Sequence, residues 1–176
     1  MDDTDNSLRR KAAGFTLIEL MVAIAVLAMS IYSIQGFAEM VAEANARAAR
    51  QAFLTVLAMS RQEAITRNRR VTLCRAASPD SCSGSAVVGR FDWESALLFV
   101  DADRDRLYNP DSDRLIRYID LSDRVSVSWN HGEAISYQPD GSVTGYSNGT
   151  FTLRFGDEQS CTVVLALTGR VRETCR

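Results

Sequence analysis

One stretch decides most of what this chain can become. From Phe15 to Ile34 the sequence runs for 20 residues with Glu19 as its only charge. At about 1.5 Å per residue, a helix over this run is about 30 Å long, enough to cross the hydrocarbon core of a bilayer. Arg9, Arg10 and Lys11 stand just before it, a charge placement that holds the N-terminus on the cytoplasmic side. The segment ahead of Phe15 is short and polar, unlike a secretory signal. No small-residue cleavage pattern follows the apolar run. A cut before the run, rather than after it, would leave the membrane segment in the mature protein.

Glu19 is the informative residue of that segment. A carboxylate inside hydrocarbon costs roughly 2.5–3.5 kcal/mol on insertion scales. It either sits close enough to the interface to snorkel or meets a positive group on assembly. The rest of the composition excludes several classes. An apolar fraction of 46% is too high for a disordered chain. A net charge of -2 gives no global attraction to nucleic acid, so such binding needs a local patch. His131 is the single histidine and Lys11 the single lysine; a multi-histidine metal or catalytic centre is therefore excluded.

Gly14-Phe15-Thr16-Leu17-Ile18-Glu19-Leu20 resembles the prepilin signature of type IV pilins and type II secretion pseudopilins. The resemblance implies cleavage between Gly14 and Phe15 by a prepilin peptidase, with N-methylation of Phe15. It implies that Glu19 pairs with the N-terminal amine of a neighbouring subunit during assembly, which supplies the partner that the buried charge requires. It also implies an inner-membrane, single-pass protein with a periplasmic head, later part of an extracellular pilus or a periplasmic pseudopilus.

Apolar residues continue past the run at three- and four-residue spacings: Phe37, Met40, Val41, Ala44, Ala48, Ala52, Val56, Ala64 and Ile65. No proline interrupts residues 15–70. The pattern predicts one long helix, apolar in its first half and amphipathic in its second. Gly36 either loosens it, as a proline near this position does in many pilins, or packs closely, at about 1 kcal/mol of helix propensity. After Arg70 the period changes to two, with runs from Val71, Ala96, Arg114, Arg124, Ala134, Thr150, Ser160 and Arg170. Asn130-His131-Gly132, Pro139-Asp140-Gly141 and Asn148-Gly149 punctuate them, and Asn-Gly is a hairpin signal. The expected fold is α+β: a long N-terminal helix packed on a C-terminal antiparallel β-sheet head, the pilin fold. The expected organisation is 1–14 leader, 15–36 membrane or filament-core helix, 37–70 amphipathic helix and 71–176 head.

Within the prepilin families, Ser60 to Asn68, Arg70-Val71-Thr72-Leu73-Cys74, Leu98-Phe99-Val100-Asp101 and the closing Gly169-Arg170-Val171-Arg172 resemble the GspH/FimT/FimU group. That group implies a minor pilin taking part in pilus assembly or, alternatively, a GspH-like minor pseudopilin of type II protein secretion. Its partners are other pilins and minor pilins. Gly-Arg-Val-Arg is similar to the motif near the C-terminus of FimT-type minor pilins that bind DNA during natural transformation, which implies non-specific double-stranded DNA as a ligand of Arg170 and Arg172. The alternative for this stretch is an ordinary solvated last strand.

Four cysteines allow three pairings, and a compartment outside the cytoplasm favours disulfides over free thiols or metal. If Leu167-Thr168-Gly169 is a three-residue hairpin loop, Cys161 faces Cys175, leaving Cys74 for Cys82. The same register puts Arg170 and Arg172 on one face. Asp101, Asp103, Asp105, Asp111 and Asp113 outline a calcium-type loop. However, Arg104 and Arg106 interleave, and Arg106 stands where such a loop needs glycine. The carboxylates can instead hold arginines or turn amides. No catalytic residue, metal or cofactor is expected, His131 lying in a turn. Trp93 and Trp129 are expected in the core.

Overall fold

A computed structural model describes residues 15–121, 125–155 and 159–175, apart from the side chains of 30–39 and 159. The expected leader, with Gly14, and Arg176 lie outside the described residues. The chain divides into two units, one ending at Ala42 and one beginning at Glu43.

Helix α1 spans Leu17–Arg67 and continues through Gly36. Its two ends are set by local chemistry. Thr16 Oγ1 accepts the Glu19 amide at 3.3 Å, so Thr16 is the N-cap and Glu19 occupies the third helical position. At the far end Asn68 takes a left-handed φ of 50°. The Asn68 amide reaches Ile65 O and the Arg69 amide reaches Ala64 O, both at 3.2 Å. These bonds form a Schellman stop, with asparagine in the place glycine usually takes.

The second unit holds ten strands among the described residues. They are β1 Val71–Ser78, β2 Ser81–Cys82, β3 Phe91–Trp93, β4 Ser95–Val100 and β5 Arg114–Asp120, then β6 Ser126–Trp129, β7 Ala134–Tyr137, β8 Gly149–Phe155, β9 Gln159–Leu165 and β10 Val171–Cys175. They make two sheets of five rather than one. In the first, β1 lies between β4 and the pair β7 and β2, and β5 flanks β4; the second runs β10-β9-β8-β6-β3. Every strand pair is antiparallel. The core gathers around Phe151 on β8. The Phe53 ring of α1 meets it edge-on at 4.8 Å, Trp93 meets it edge-on at 5.9 Å, and Trp129 lies over it at 4.1 Å. Both tryptophans are buried, as expected.

Three expectations need correction. The helical stripe through Ala44, Ala48 and Ala52 is exposed, and Val56 is half-buried. The buried stripe is Ala49, Phe53, Leu57, Ser60 and Ala64, one residue and about 100° further round. Phe53 and Leu57 carry far more apolar area than the alanines, and they set the rotation. Second, Asn148-Gly149 does not turn a hairpin: β7 pairs with β1, while β8 pairs with β6 and β9. Gly149 is there for close approach, since a Cβ on it would lie 2.6 Å from Asn130 Oδ1 and 2.7 Å from the Trp129 ring. Third, the head has two further strands, β2 and β3, too short to show a period, and β1 runs on past Cys74 to Ser78.

Candidate functional site

Three regions hold most of the residues singled out by the sequence: the start of α1, the last hairpin and the acidic loop. At the start of α1, Phe15 is 82% exposed, and the large apolar residues from Leu17 to Met29 are exposed as well. Glu19 is exposed among them, and its backbone amide belongs to the helix cap. Among the described residues no helix is long and apolar enough to cross a membrane; the expected span runs on beyond Met29 into residues without described side chains.

The second region is the last hairpin. Strands β9 and β10 pair Leu165 with Val171, Val164 with Arg172 and Cys161 with Cys175, the register of a three-residue loop. Gly169 holds φ at 71° in that loop. Its tip is held from behind by Val143, which donates to Leu167 O at 2.9 Å, and the neighbouring Gly141 O accepts from Arg61 Nε at 2.9 Å. A Cβ on Gly169 would lie 1.9 Å from Gly141 O, so only glycine fits. Disulfides join Cys161 to Cys175 and Cys74 to Cys82. The first closes about 15 residues, worth roughly 3 kcal/mol in the chain-entropy picture. Arg50 of α1 reaches across to β10, with Nη1 3.1 Å from Cys175 Sγ and Nε 3.7 Å from the Glu173 carboxylate.

Arg172 stands on the outward side of β10, opposite exposed Val164, while Val171 and Glu173 stand opposite buried Leu165 and Val163. Arg170, just ahead of the strand, also borders a groove of about 470 Å³ beside Leu54, Leu57, Ala58 and Arg61. Both arginines are exposed. Among the described residues neither guanidinium has a hydrogen-bond or ion-pair partner. By contrast Arg47, Arg50, Arg67, Arg70 and Arg75 all sit in ion pairs.

The acidic loop brings oxygens of Asp101, Asp103 and Asp105 within 4.8 Å of one another. These carboxylates have protein partners. Asp101 is buried, 3.2 Å from Arg70 Nε and 2.7 Å from Thr72 Oγ1. Asp103 accepts from Ser112 at 2.8 Å and Asp105 from the Leu107 amide at 2.7 Å. The Ser112 hydroxyl holds the Asp103 carboxyl below its ordinary range. Asp113 accepts the Ala102 and Asn109 amides at 2.9 and 3.0 Å, yet burial pushes its carboxyl up. Arg104 and Arg106 both take positive φ, 67° and 72°. Arg106 is buried with its guanidinium on Ala134 O. Burial, and then the charge of Arg70, hold its pKa below the usual arginine range. A guanidinium therefore occupies the interior side of the loop.

Residues 49–169 match the family model described as type II transport protein GspH, and residues 9–31 match the prokaryotic N-terminal methylation motif. The chain belongs to the GspH family. Among solved structures it is similar to the type IV minor pilin FimU of Pseudomonas aeruginosa in two crystal forms. The first is 13% identical with a TM-score of 0.52, covering 73% of this chain and 91% of that one. The second is 12% identical with a TM-score of 0.50, covering 72% and 86%. At such identities the likeness is one of fold, the pilin fold. No curated protein matches the chain in sequence.

In this GspH-family chain the Thr16-x-x-Glu19 spacing carries a local meaning beneath the family motif, the N-terminal cap of α1. The spacing itself is the signal of a capping box. The outward face of the second sheet has no signal in the sequence, because its residues are ordinary strand formers and only the register brings them together.

Proposed function

We propose that this GspH-family protein is a minor type IV pilin. It is anchored by residues 15–36, cleaved between Gly14 and Phe15, N-methylated on Phe15, and assembled through its N-terminal helix with other minor pilins. The observation that carries this reading is the run of exposed large apolar side chains from Phe15 to Met29. A surface of that kind needs a membrane or a bundle of like helices to cover it. Glu19 then acts in assembly as the partner of a neighbour's terminal amine, and the inner membrane is the residence before assembly. N-terminal mass analysis of membrane-extracted protein is expected to give a chain beginning at methylated Phe15. A chain beginning at Met1, or beyond Ile34, overturns this reading.

The head carries the finer part of the proposal, the capture of double-stranded DNA during natural transformation through Arg170 and Arg172. Two unpartnered, exposed guanidiniums at the start of a strand pinned by a disulfide suit phosphate contact, which is bidentate and indifferent to sequence. Two or three contacts give a logarithmic salt slope of about -2 to -3 and a dissociation constant in the micromolar range or weaker. Arg170→Gln with Arg172→Gln removes the binding; equal binding by this double variant, or none by the wild type, withdraws it. The alternative reading, a minor pseudopilin of type II secretion, draws on the description of the matched family model. Secretion of cargo lost on deletion, with piliation and transformation intact, would favour it.

A further inference from the structure

Strand register in the second sheet places one row of small hydroxyls across its outward face. Thr174 of β10 stands opposite Thr162 of β9, Thr162 opposite Thr152 of β8, and Thr152 opposite Ser128 of β6. Four strands at about 4.8 Å spacing make this row about 14 Å long. The inward residues of the same strands, Leu153, Val163 and Trp129 among them, fill the core, so the hydroxyls face away from it. Among the described residues none of the three threonine hydroxyls has a hydrogen-bond partner; Ser128 Oγ also lacks one but is buried, so the accessible part of the row is Thr152, Thr162 and Thr174.

Arginines flank the row on both sides. Arg172 stands opposite Val164, which stands opposite Thr150. Arg154 stands between Ser160 and Ser126 on the other side of the row. Arg154, like Arg172, is exposed and without a partner among the described residues. The Cα atoms of the two arginines are about 17 Å apart, counting four residues along the strands and two strands across. Long side chains starting at that separation can address phosphates on both sides of a groove about 12 Å wide. Among the described strand residues of this face the single carboxylate, Asp92, stands at the far edge opposite Ser128.

We infer that the outward face of β10, β9 and β8, with Arg154, Arg172 and the Thr152–Thr162–Thr174 row, is the DNA-backbone contact surface, so that capture is by a sheet face and not by the strand tip alone. The inference rests on the reading of the head as a DNA binder. Hydroxyls donate to phosphate oxygens without adding charge, and arginines neutralise them. A protein partner would call for large apolar or aromatic anchors at the centre of the face; small hydroxyls occupy it instead.

The test uses the full chain in non-ionic detergent with a labelled duplex of mixed sequence, titrated at low and moderate salt. Arg154→Gln is expected to reduce the magnitude of the logarithmic salt slope by about 0.9. The double change Thr152→Val with Thr162→Val keeps shape and charge. It is expected to weaken binding roughly threefold or more while leaving the slope alone, as loss of uncharged donors should. Thermal melts of each variant check that the fold is retained; if Arg154→Gln melts, Arg154→Ser takes its place with the same expected loss of slope, and if the valine pair melts, Thr162→Val alone takes its place with a smaller expected loss of affinity. If the wild type binds and Arg170→Gln with Arg172→Gln abolishes it, while Arg154→Gln and the double valine bind as the wild type does, the face is overturned and the tip stands. If the wild type does not bind, both fall. If the valine pair binds DNA normally but no longer enters filaments, the face belongs to a protein neighbour and the inference is wrong.

Discussion

The two ends of α1 are built from similar residues and live in opposite surroundings. Between Leu17 and Met29, Ile18 is 71% exposed and Leu27 63%; between Glu43 and Arg67, Phe53 is 1% exposed and Leu57 0%. Burying one such side chain is worth about 1.5–3 kcal/mol. The later segment gains that energy within its own chain, against Phe151, Trp93 and their neighbours. The earlier segment has not gained it and must do so outside the chain. Stability and assembly therefore separate along one helix: changes in the later segment unfold the head, whereas changes in the earlier one are silent until a membrane or a second subunit is present.

The sharpest way to break that separation is a pair of truncations. Phe53→Ala should cost about 3–5 kcal/mol of head stability, the range for a buried phenylalanine. Ile18→Ala should stay within about 0.5 kcal/mol, as for other exposed positions. Chemical denaturation of both variants in detergent decides it. A large loss for Ile18→Ala would mean that the first segment is buried within the chain after all.

Removing the last staple comes next in size. Cys161→Ser with Cys175→Ser should destabilise by roughly 3 kcal/mol. The effect should concentrate in β10, which pairs with β9 alone. Hydrogen exchange would show early opening of residues 171–175. Peptide mapping without reductant should recover Cys74 with Cys82 as the other linkage.

The acidic loop allows a smaller prediction with a sign. Burial raises the Asp113 carboxyl, so the folded state holds that proton more tightly than the unfolded one. Its contribution is therefore present below the ordinary aspartate pKa of 3.8 and is lost as pH rises through the raised value. Asp103 and Asp140 are lowered by the hydroxyls of Ser112 and Ser142. Their contributions run the other way, present above 3.8 and lost as pH falls through the lowered values. Carbon-detected NMR titration should therefore find Asp113 titrating last of the three as pH rises. An Asp113 that titrates with Asp103 would place it in water.

These contrasts explain what could be read from the chain beforehand. The helix, the antiparallel head and the 161–175 register follow from local rules: an uninterrupted period, alternation, and a glycine three residues into a turn. The division into two sheets does not, because Asn148-Gly149 has the chemistry of a hairpin and is used instead for close packing against Trp129. Nor does the rotation of α1, which the position of Phe53 decides only once Phe151 is there to receive it. For the proposed site, Arg170 and Arg172 were legible because a glycine fixes their register from within one hairpin. Arg154 was not, since its place beside them depends on which strand pairs with β9.

The smallest expected effect on the head is that of Glu19→Val, and it bears most directly on the comparison. The Glu19 amide donates to Thr16 Oγ1, a backbone bond that survives a change of side chain. Loss of the side chain forfeits the helix-dipole term, about 0.3–1 kcal/mol, and some helix propensity, a few tenths of a kcal/mol. These terms act at the first turn, far along the chain from the core residues that begin at Ala49. The head should therefore melt as the wild type does. The change should even ease insertion of the segment, since a carboxylate in hydrocarbon costs roughly 2.5–3.5 kcal/mol. What it removes is the charge that a neighbour's N-terminal amine would meet, so incorporation into filaments should fall sharply while membrane levels hold. Thr16→Val separates the two roles, because it removes the cap at a cost of about 1 kcal/mol in local helix stability and leaves the carboxylate. If Thr16→Val and Glu19→Val reduce incorporation equally, helix integrity is the cause. If only Glu19→Val does so, the charge is, and the exposed half of α1 has its partner in another subunit.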